Sequence, residues 1–214
     1  TNYTGDESYL LEQGLEVLIG IARFWKQRIH FSEEKQQFVM LGVTGPNEYE
    51  NNVNNNWYTN YLAVWCLKYC QYWLAVKKNR DAVGYSALVL KLSLIEEEIS
   101  SWDPIIHNMY LPYDDERRIF LQQDGYLDKE QKLVKDLPSE DLPLNQKWSW
   151  DRILRSCFIK QADVLQGLYF FEDDFDTDIH RRNFEFYEPR TVHESSLSPC
   201  IHAILAAHIG DHAK

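Results

Sequence analysis

Two polar stretches of this chain, and one polar pair within a predicted helix, hold the residue types that could carry chemistry. In the first, 42–60, Glu48 follows a Gly-Pro pair and is surrounded by asparagines and aromatic residues. Tyr49 and Trp57 could shield the Glu48 carboxyl from water, which would raise its pKa and suit it to a general acid. A solvated loop glutamate is the simpler interpretation, and Glu50 is a rival carboxylate in the same stretch.

The second stretch, HESSLSP at 193–199, precedes a predicted helix. Backbone N–H groups at a helix start, with the hydroxyls of Ser195 and Ser196, would suit a phosphate, and a protonated His193 would add positive charge. Simple capping of the helix by serine is a commoner use of these residues. A serine hydrolase using His193, Ser196 and Asp176 is disfavoured because the chain lacks a Gly-x-Ser-x-Gly motif.

The third feature is the pair Lys160 and Gln161, which falls among apolar residues of a helix predicted over 149–171. A lysine in such a helix commonly extends its ammonium group to water. Alternatively, the pair faces a polar cavity and binds substrate hydroxyls. The spacing leaves both interpretations open.

Histidines and cysteines could in principle bind a metal. The histidine spacings fit no ligand pair on the last helix, so we expect core or surface histidines and no metal. The histidines concerned are His180, His202, His208 and His212. Cys66 and Cys70 lie four residues apart on an apolar helix, where buried thiols are expected. Free thiols favour a reducing compartment, the cytoplasm.

The overall composition excludes several classes of function. The 214 residues are 44% hydrophobic, enough for a real core, and carry a formal net charge of −11. No basic stripe offsets that charge, so neither nucleic acid nor an anionic membrane is an expected partner. The first residues lack an initiator methionine and a signal peptide, so we expect the chain to begin inside a longer protein.

Apolar periodicity predicts a mostly helical chain in which long polar loops position the candidate residues. Thr4 and Glu7 suggest a capping box before the first helix. A short strand is expected at 38–43 and an extended hairpin turning at 114–116. The predicted helices cover 10–25, 57–78, 85–106, 149–171, 177–187 and 200–210.

Four blocks together resemble the disaccharide phosphorylases of glycoside hydrolase family 65. They are GVTGPNEYENNVNNNWYTN, NMYLPYDDERRIFLQQDGYLDKE, KQADVLQGLYFF and YEPRTVHESSLSP, in the family's order. The resemblance implies an all-α fold, a partial (α/α)6 barrel or α-toroid with about half of the helices and short strands in the loops. Residues 1–214 would be an internal fragment of the catalytic domain, without the N-terminal β-sandwich and the remainder of the barrel.

The resemblance also implies an activity, an inverting phosphorolysis of an α-linked glucose disaccharide. The expected substrate is maltose, with trehalose, kojibiose and nigerose as alternatives. No cofactor is implied, because inorganic phosphate is a co-substrate, and the full-length protein would be a cytoplasmic homodimer. The implied roles are Glu48 as general acid, Lys160 and Gln161 as contacts to the leaving sugar, and His193, Ser195 and Ser196 as the phosphate-binding turn.

Two other functions stay open at this point. A hydrolase of the same family would use water and need a base carboxylate, for which Glu188 or Glu194 could serve. A non-catalytic helical domain that binds carbohydrate is the third hypothesis. Whatever the function, a partial barrel would leave apolar helix faces uncovered. The chain alone is therefore expected to be inactive and prone to aggregate.

Overall fold

The computed structural model describes residues 4–210, and the chain divides into two compact units. The first unit comprises Thr1–Met40 and Tyr61–Tyr110, and the second comprises Leu41–Asn60 and Leu111–Lys214. Helices predominate in both units, which confirms the expected helical fold class. Within residues 4–210, no helix has the length and apolar character needed to cross a membrane.

The first unit packs helices around a short hairpin. Its elements are α1 (Leu15–Arg28), β1 (His30–Ser32), β2 (Gln37–Val39), α2 (Trp57–Arg80, from Tyr61 onward in this unit), α3 (Ala82–Leu92), α4 (Glu96–Ser100) and α5 (Asp103–Asn108). A π-helical turn, Leu10–Gly14, leads into α1. The strands pair antiparallel with Phe31 opposite Phe38. Part of the predicted apolar face is buried, including Leu15 and Ala22 of α1 and Leu67 and Trp73 of α2, whereas Ile21 is 37% exposed.

Two predictions for this unit are wrong in detail. The helix predicted at 85–106 is divided into α3, α4 and α5, because Ser93 adopts a left-handed conformation (φ 50°) and Leu94 N–H bonds back to the carbonyl of Val89. This is the usual way in which a helix ends. The capping box is also absent, since Thr4 accepts a hydrogen bond from Asp6 N–H and Glu7 pairs with Arg80.

The second unit contains both polar stretches and the Lys160–Gln161 pair. Its elements are β3 (Tyr113–Asp114), β4 (Ile119–Phe120), α6 (Leu144–Lys147), α7 (Trp150–Leu154), α8 (Val164–Phe170), α9 (Thr177–Tyr187) and α10 (Ser198–His208). The predicted hairpin is confirmed, with Tyr113 opposite Phe120. The helices predicted at 177–187 and at the C-terminal end are confirmed as well, and Gly210, with φ of 76°, follows the last one.

The helix predicted at 149–171 is wrong in its middle part. Ser149 does cap a helix by accepting from Arg152 N–H, but α7 ends at Leu154 and α8 begins only at Val164. Between them the backbone bonds to other segments: Cys157 N–H donates to the Glu130 carbonyl. Because these partners are distant in sequence, an apolar helical pattern could not reveal them.

An apolar face of α3 is exposed. Val83 and Leu90 lie seven residues apart on this helix and are 83% and 82% exposed, although the helix is strongly apolar. Exposed apolar faces of this kind favour association.

We therefore expect the 214-residue chain, purified alone, to self-associate. A Val83→Gln/Leu90→Gln variant should shift the population toward monomer in sedimentation velocity, because it removes apolar surface at helix positions that tolerate Gln. Glu97→Gln, at an exposed position of α4 away from this face, is the matched control and should change nothing. A wild-type chain that sediments as a monomer at all concentrations would contradict this prediction.

Candidate functional site

The loop that carries Glu48, residues 42–50 and here termed the acid loop, is held at both ends by backbone pairing. Val43 and Val53 form an antiparallel bridge with two N–H···O bonds of 2.9 Å. Glu50 N–H donates to the Asn47 carbonyl at 3.0 Å, which closes a turn around Glu48. The short hydrogen bonds explain why a segment without helix or long strand has a defined conformation.

Glu48 lies on the surface of this loop. Its side chain is 60% exposed, and Oε2 lies 2.5 Å from the ammonium nitrogen of Lys160. The hydrogen bond from Lys160, followed by that from Gln161, lowers the pKa of the Glu48 carboxyl. The expectation that Tyr49 and Trp57 shield Glu48 and raise its pKa is therefore wrong for this chain.

Both of those aromatic rings are buried elsewhere. Tyr49 packs in a cluster with Leu144, Trp148, Ile153 and Phe158. Trp57 stacks on Phe120, with 4.5 Å between the ring centroids. Their burial fixes the chain at the end of the acid loop and just after it, and leaves the Glu48 side chain to point outward.

Asn47 connects the acid loop to the segment around Lys160. Its backbone N–H donates to Oδ2 of Asp163 at 3.1 Å. Its side-chain oxygen accepts from the N–H of Tyr49 and from the N–H of Lys160, at 3.1 and 3.0 Å. Asn47 is fully buried. These bonds fix the backbone on both sides of Glu48, so the acid and Lys160 are held together by more than their ion pair.

Lys160 and Gln161 lie at a bend between α7 and α8 and not in the middle of a helix, which corrects the sequence-based placement. Gln161 is buried, and its amide donates to the carbonyl of Pro46 at 2.8 Å. Its oxygen Oε1 is buried without a hydrogen-bond partner among residues 4–210. A buried acceptor of this kind is costly unless a ligand or another donor satisfies it.

The segment that includes Ile159 pairs with the strand-like residues that precede His193. Ile159 N–H donates to the Arg190 carbonyl at 3.0 Å, and Val192 N–H donates to the Ile159 carbonyl at 2.8 Å. Ile159 and Thr191 form a parallel bridge. Lys160 directly follows Ile159, and His193 lies two residues after Thr191. Both residues therefore lie close to the same backbone pairing.

The His193 turn, residues 193–197, lies just before α10. His193 has φ of 54°, the left-handed region that non-glycine residues rarely adopt. Its Nδ1 lies 2.9 Å from the hydroxyl of Ser198, which sequence reasoning did not single out. Ser195 accepts from Leu197 N–H, Ser196 is exposed, and no side chain caps the start of α10. Serine capping of α10 is therefore not what these hydroxyls do.

Glu188 lies between two histidines. Its Oε2 is hydrogen-bonded to Nδ1 of His202 and is 3.6 Å from Nε2 of His193. Burial disfavours the ionised form, but the hydrogen bonds from the two imidazoles outweigh it and hold the pKa of Glu188 well below its usual range. The result is a carboxylate that stays charged and holds both rings.

The same group of residues is the one that could hold a metal. Glu188, His193 and His202 offer ligand atoms within 4.8 Å of one another, a donor set that suits zinc. Sequence reasoning considered His202 only with other helix histidines, because the three residues lie on separate segments. His180 and His208 contact each other, with centroids 4.7 Å apart, and His212 lies outside the described residues.

Glu194 and Glu50 have structural partners. Glu194 accepts from the hydroxyl of Tyr49 and from the N–H of Leu144, the latter at 2.6 Å. Glu50 is buried in an ion pair with Lys129. Burial raises the pKa of Glu50, and Lys129 opposes that effect. Glu48 differs from both carboxylates, because it is exposed on a fixed loop and pairs with a lysine at the surface.

A cavity of about 270 Å³ adjoins the His193 turn. Its lining residues are Phe184, Glu188, His193, Pro199, His202 and Ala203. Glu48 and Lys160 do not line this cavity. The structure thus brings Glu48, Lys160 and Gln161 into contact, and the His193 turn follows the segment that pairs with Ile159.

Comparison with known proteins decides which family has this arrangement. The whole chain, residues 1–214, matches the family described as the glycosyl hydrolase family 65 central catalytic domain. The chain belongs to glycosyl hydrolase family 65. This confirms the resemblance drawn from the four sequence blocks.

Several of the relatives within family 65 are disaccharide phosphorylases. The chain is 53% identical over 211 residues to maltose phosphorylase of Bacillus subtilis (strain 168) and 40% identical over 209 residues to α,α-trehalose phosphorylase of Thermoanaerobacter brockii. Each comparison covers 97% of this chain and 27% of the relative. The chain thus spans about a quarter of the length of the curated relatives it matches.

A solved structure shares the fold. It is described as a kojibiose phosphorylase from the human microbiome, is 34% identical, and superposes with a TM-score of 0.87 over 97% of this chain and 28% of that one. The helical architecture of family 65 is therefore present in this chain, as the sequence blocks imply.

Proposed function

We propose that the complete protein to which this chain belongs carries out phosphorolysis of an α-linked glucose disaccharide, with maltose as substrate. The observation that carries the proposal is the arrangement of carboxylates. Glu48 is presented to solvent on a fixed loop beside Lys160, whereas Glu188 and Glu194 are held by structural partners. A single available acid, together with a turn that would bind an anion, suits a reaction in which phosphate is the nucleophile.

Glu48 would act as the general acid. In this chain it is ionised and paired with Lys160, but a surface ion pair contributes only about 0–1 kcal/mol and is easily exchanged. Sugar hydroxyls that bind to Lys160 and to the unpartnered oxygen of Gln161 would draw the ammonium group away. Loss of that partner and exclusion of water by the sugar would both raise the pKa of Glu48.

The His193 turn would bind the phosphate. His193 supplies an imidazole, Ser195 and Ser196 supply hydroxyls, and the start of α10 supplies N–H groups that no side chain caps. Together these groups favour a bound anion. The Glu188 carboxylate beside His193 is hydrogen-bonded to His202, so it is already engaged by an imidazole.

The reaction is balanced with these groups alone. Glu48 transfers a proton to the glycosidic oxygen as the bond from the anomeric carbon to that oxygen breaks. A phosphate oxygen attacks the anomeric carbon from the opposite face and inverts it, giving β-glucose 1-phosphate and glucose. The proton carried by the attacking hydrogen phosphate returns to the carboxylate of Glu48.

The hydrolase alternative needs a second carboxylate to activate water. Its two candidates are unsuited to that role, since Glu194 accepts hydrogen bonds from Tyr49 and from backbone N–H groups. Glu188 is hydrogen-bonded to His202 and has a lowered pKa, which makes it a weak base. The structure therefore favours phosphate as the nucleophile.

The proposed function predicts that glucose release depends on phosphate. The complete protein should release glucose and β-glucose 1-phosphate from maltose in phosphate buffer, and neither product in a phosphate-free buffer. Trehalose, kojibiose and nigerose, assayed in parallel, should react more slowly, because the chain is more similar to a maltose phosphorylase than to the enzymes for the other sugars. Glucose release without phosphate would favour the hydrolase.

A further inference from the structure

We propose that Asp163 is a positioning residue for the general acid, a buried carboxylate that holds the acid loop so that Glu48 faces the leaving sugar oxygen. The inference rests on the proposed function, because it concerns how Glu48 is presented. Asp163 does not touch the expected substrate contacts itself. It acts on the loop through Asn47 and Asn56.

Asp163 lies at the N-cap position of α8, where an aspartate side chain usually caps its own helix. It is the residue before α8, where an aspartate side chain commonly accepts from the N–H groups of the first turn. Asp163 makes no such bond. Its side chain is instead turned toward the acid loop, although it is only 2% exposed. Burying a carboxylate in this way is costly unless hydrogen bonds satisfy it.

Two donors on the loop side satisfy the Asp163 carboxylate. Oδ2 accepts from the backbone N–H of Asn47 at 3.1 Å, and Oδ1 accepts from the side-chain amide of Asn56 at 2.9 Å. Asn56 also accepts from Thr59 N–H at 2.9 Å, in the first turn of α2. Asp163 thus joins the residue before Glu48 to the start of a long helix.

Gly45 shows that the approach leaves no room for a side chain. A Cβ atom at this position would lie 2.4 Å from Oδ2 of Asp163 and 2.4 Å from the amide nitrogen of Asn56. Both distances are far shorter than real carbon contacts. The glycine of the Gly-Pro pair is therefore required by the carboxylate and not only by the turn.

Both carboxylate oxygens must act as acceptors, so the ionised form is the one that holds the loop. Burial raises the pKa of Asp163 to about 7, against the lowering effect of its two donors, and the nearby Glu50 carboxylate also raises it. An asparagine at 163 offers one oxygen and one NH2 group. It can therefore satisfy only one of the two donors, and the acid loop should move.

The test is Asp163→Asn in the complete protein, compared with Asp173→Asn, an exposed aspartate after α8. With maltose and phosphate, D163N is expected to lower kcat by about tenfold, since roughly 1.4 kcal/mol of lost positioning corresponds to that factor. The KM for phosphate should stay within about twofold of the wild type, because the His193 turn is not changed. D173N should match the wild type in both constants.

A second substrate separates positioning of the acid from general damage. α-Glucosyl fluoride needs little protonation of its leaving group, so its phosphorolysis should be nearly unaffected by D163N, whereas a collapsed site would lose both reactions. Gly45→Ala should show the same difference between the two substrates.

Two results would overturn the inference: a D163N kcat on maltose equal to that of the wild type, or equal losses on maltose and on the fluoride. A wild-type protein that cleaves maltose without phosphate would overturn the proposed function instead. The wild-type control therefore distinguishes the two failures.

Discussion

Replacing Glu48 with glutamine in the complete protein should lower kcat on maltose by about 10²–10⁴-fold, the usual contribution of a positioned general acid. Glutamine keeps the size of the side chain and can still contact Lys160, but it has no proton to give to the glycosidic oxygen. Steady-state rates of β-glucose 1-phosphate formation measure the effect. The KM values should change little, because the variant lacks an interaction made in the transition state.

The leaving group provides the control for this first prediction. With α-glucosyl fluoride the E48Q variant should retain most of its activity, since fluoride leaves with little protonation. Glu185→Gln, at an exposed position on α9, should behave as the wild type on both substrates. Turnover of maltose by E48Q at the wild-type rate would show that another group supplies the proton.

Replacing His193 with asparagine should lower kcat/KM for phosphate by about 10–100-fold, because hydrogen bonds to charged groups contribute about 1.5–3 kcal/mol. Asparagine is the informative variant, since it tolerates the left-handed conformation that His193 adopts, whereas alanine would add backbone strain. Initial rates at varied phosphate and fixed, saturating maltose measure the effect. The KM for maltose should change little.

The appropriate control for the second prediction is another exposed histidine. His30→Asn, on β1 of the first unit, should leave both KM values at the wild-type level. Thermal unfolding of H193N within a few degrees of the wild type would show that the turn still folds. Equal increases in KM for maltose and for phosphate would argue that His193 supports the site generally and does not bind the anion.

Helices with a regular apolar repeat could be predicted from the sequence, and those interrupted by tertiary partners could not. The long helix α2 and the amphipathic α9 lie close to their predicted limits because their own side chains define a buried face. The segment after α7 has an equally apolar pattern, yet its backbone bonds to Glu130 and Arg190. Those partners are more than 20 residues away, so a local pattern contains no trace of them.

The candidate site also divides into residues that a local pattern indicates and residues whose role depends on distant partners. Glu48 and the His193 turn could be singled out because they lie in blocks that match a family pattern. Asp163, which holds the acid loop, could not, because it looks like an ordinary residue before a helix, and sequence reasoning considered Glu188 only as a possible base. Their importance depends on what lies opposite in space. The exposure of Glu48 was also unpredictable, since Tyr49 and Trp57 use their rings to pack other parts of the unit.

The parallel bridge between Ile159 and Thr191 has a consequence for how relatives of this protein can diverge. It connects the segment proposed to contact the sugar to the segment proposed to bind phosphate, through main-chain hydrogen bonds. Both side chains are buried, at 2% and 3% exposed, so only residues of similar volume would fit at these two positions. A proline at 159 would remove the N–H that bonds to the Arg190 carbonyl and would break the pairing.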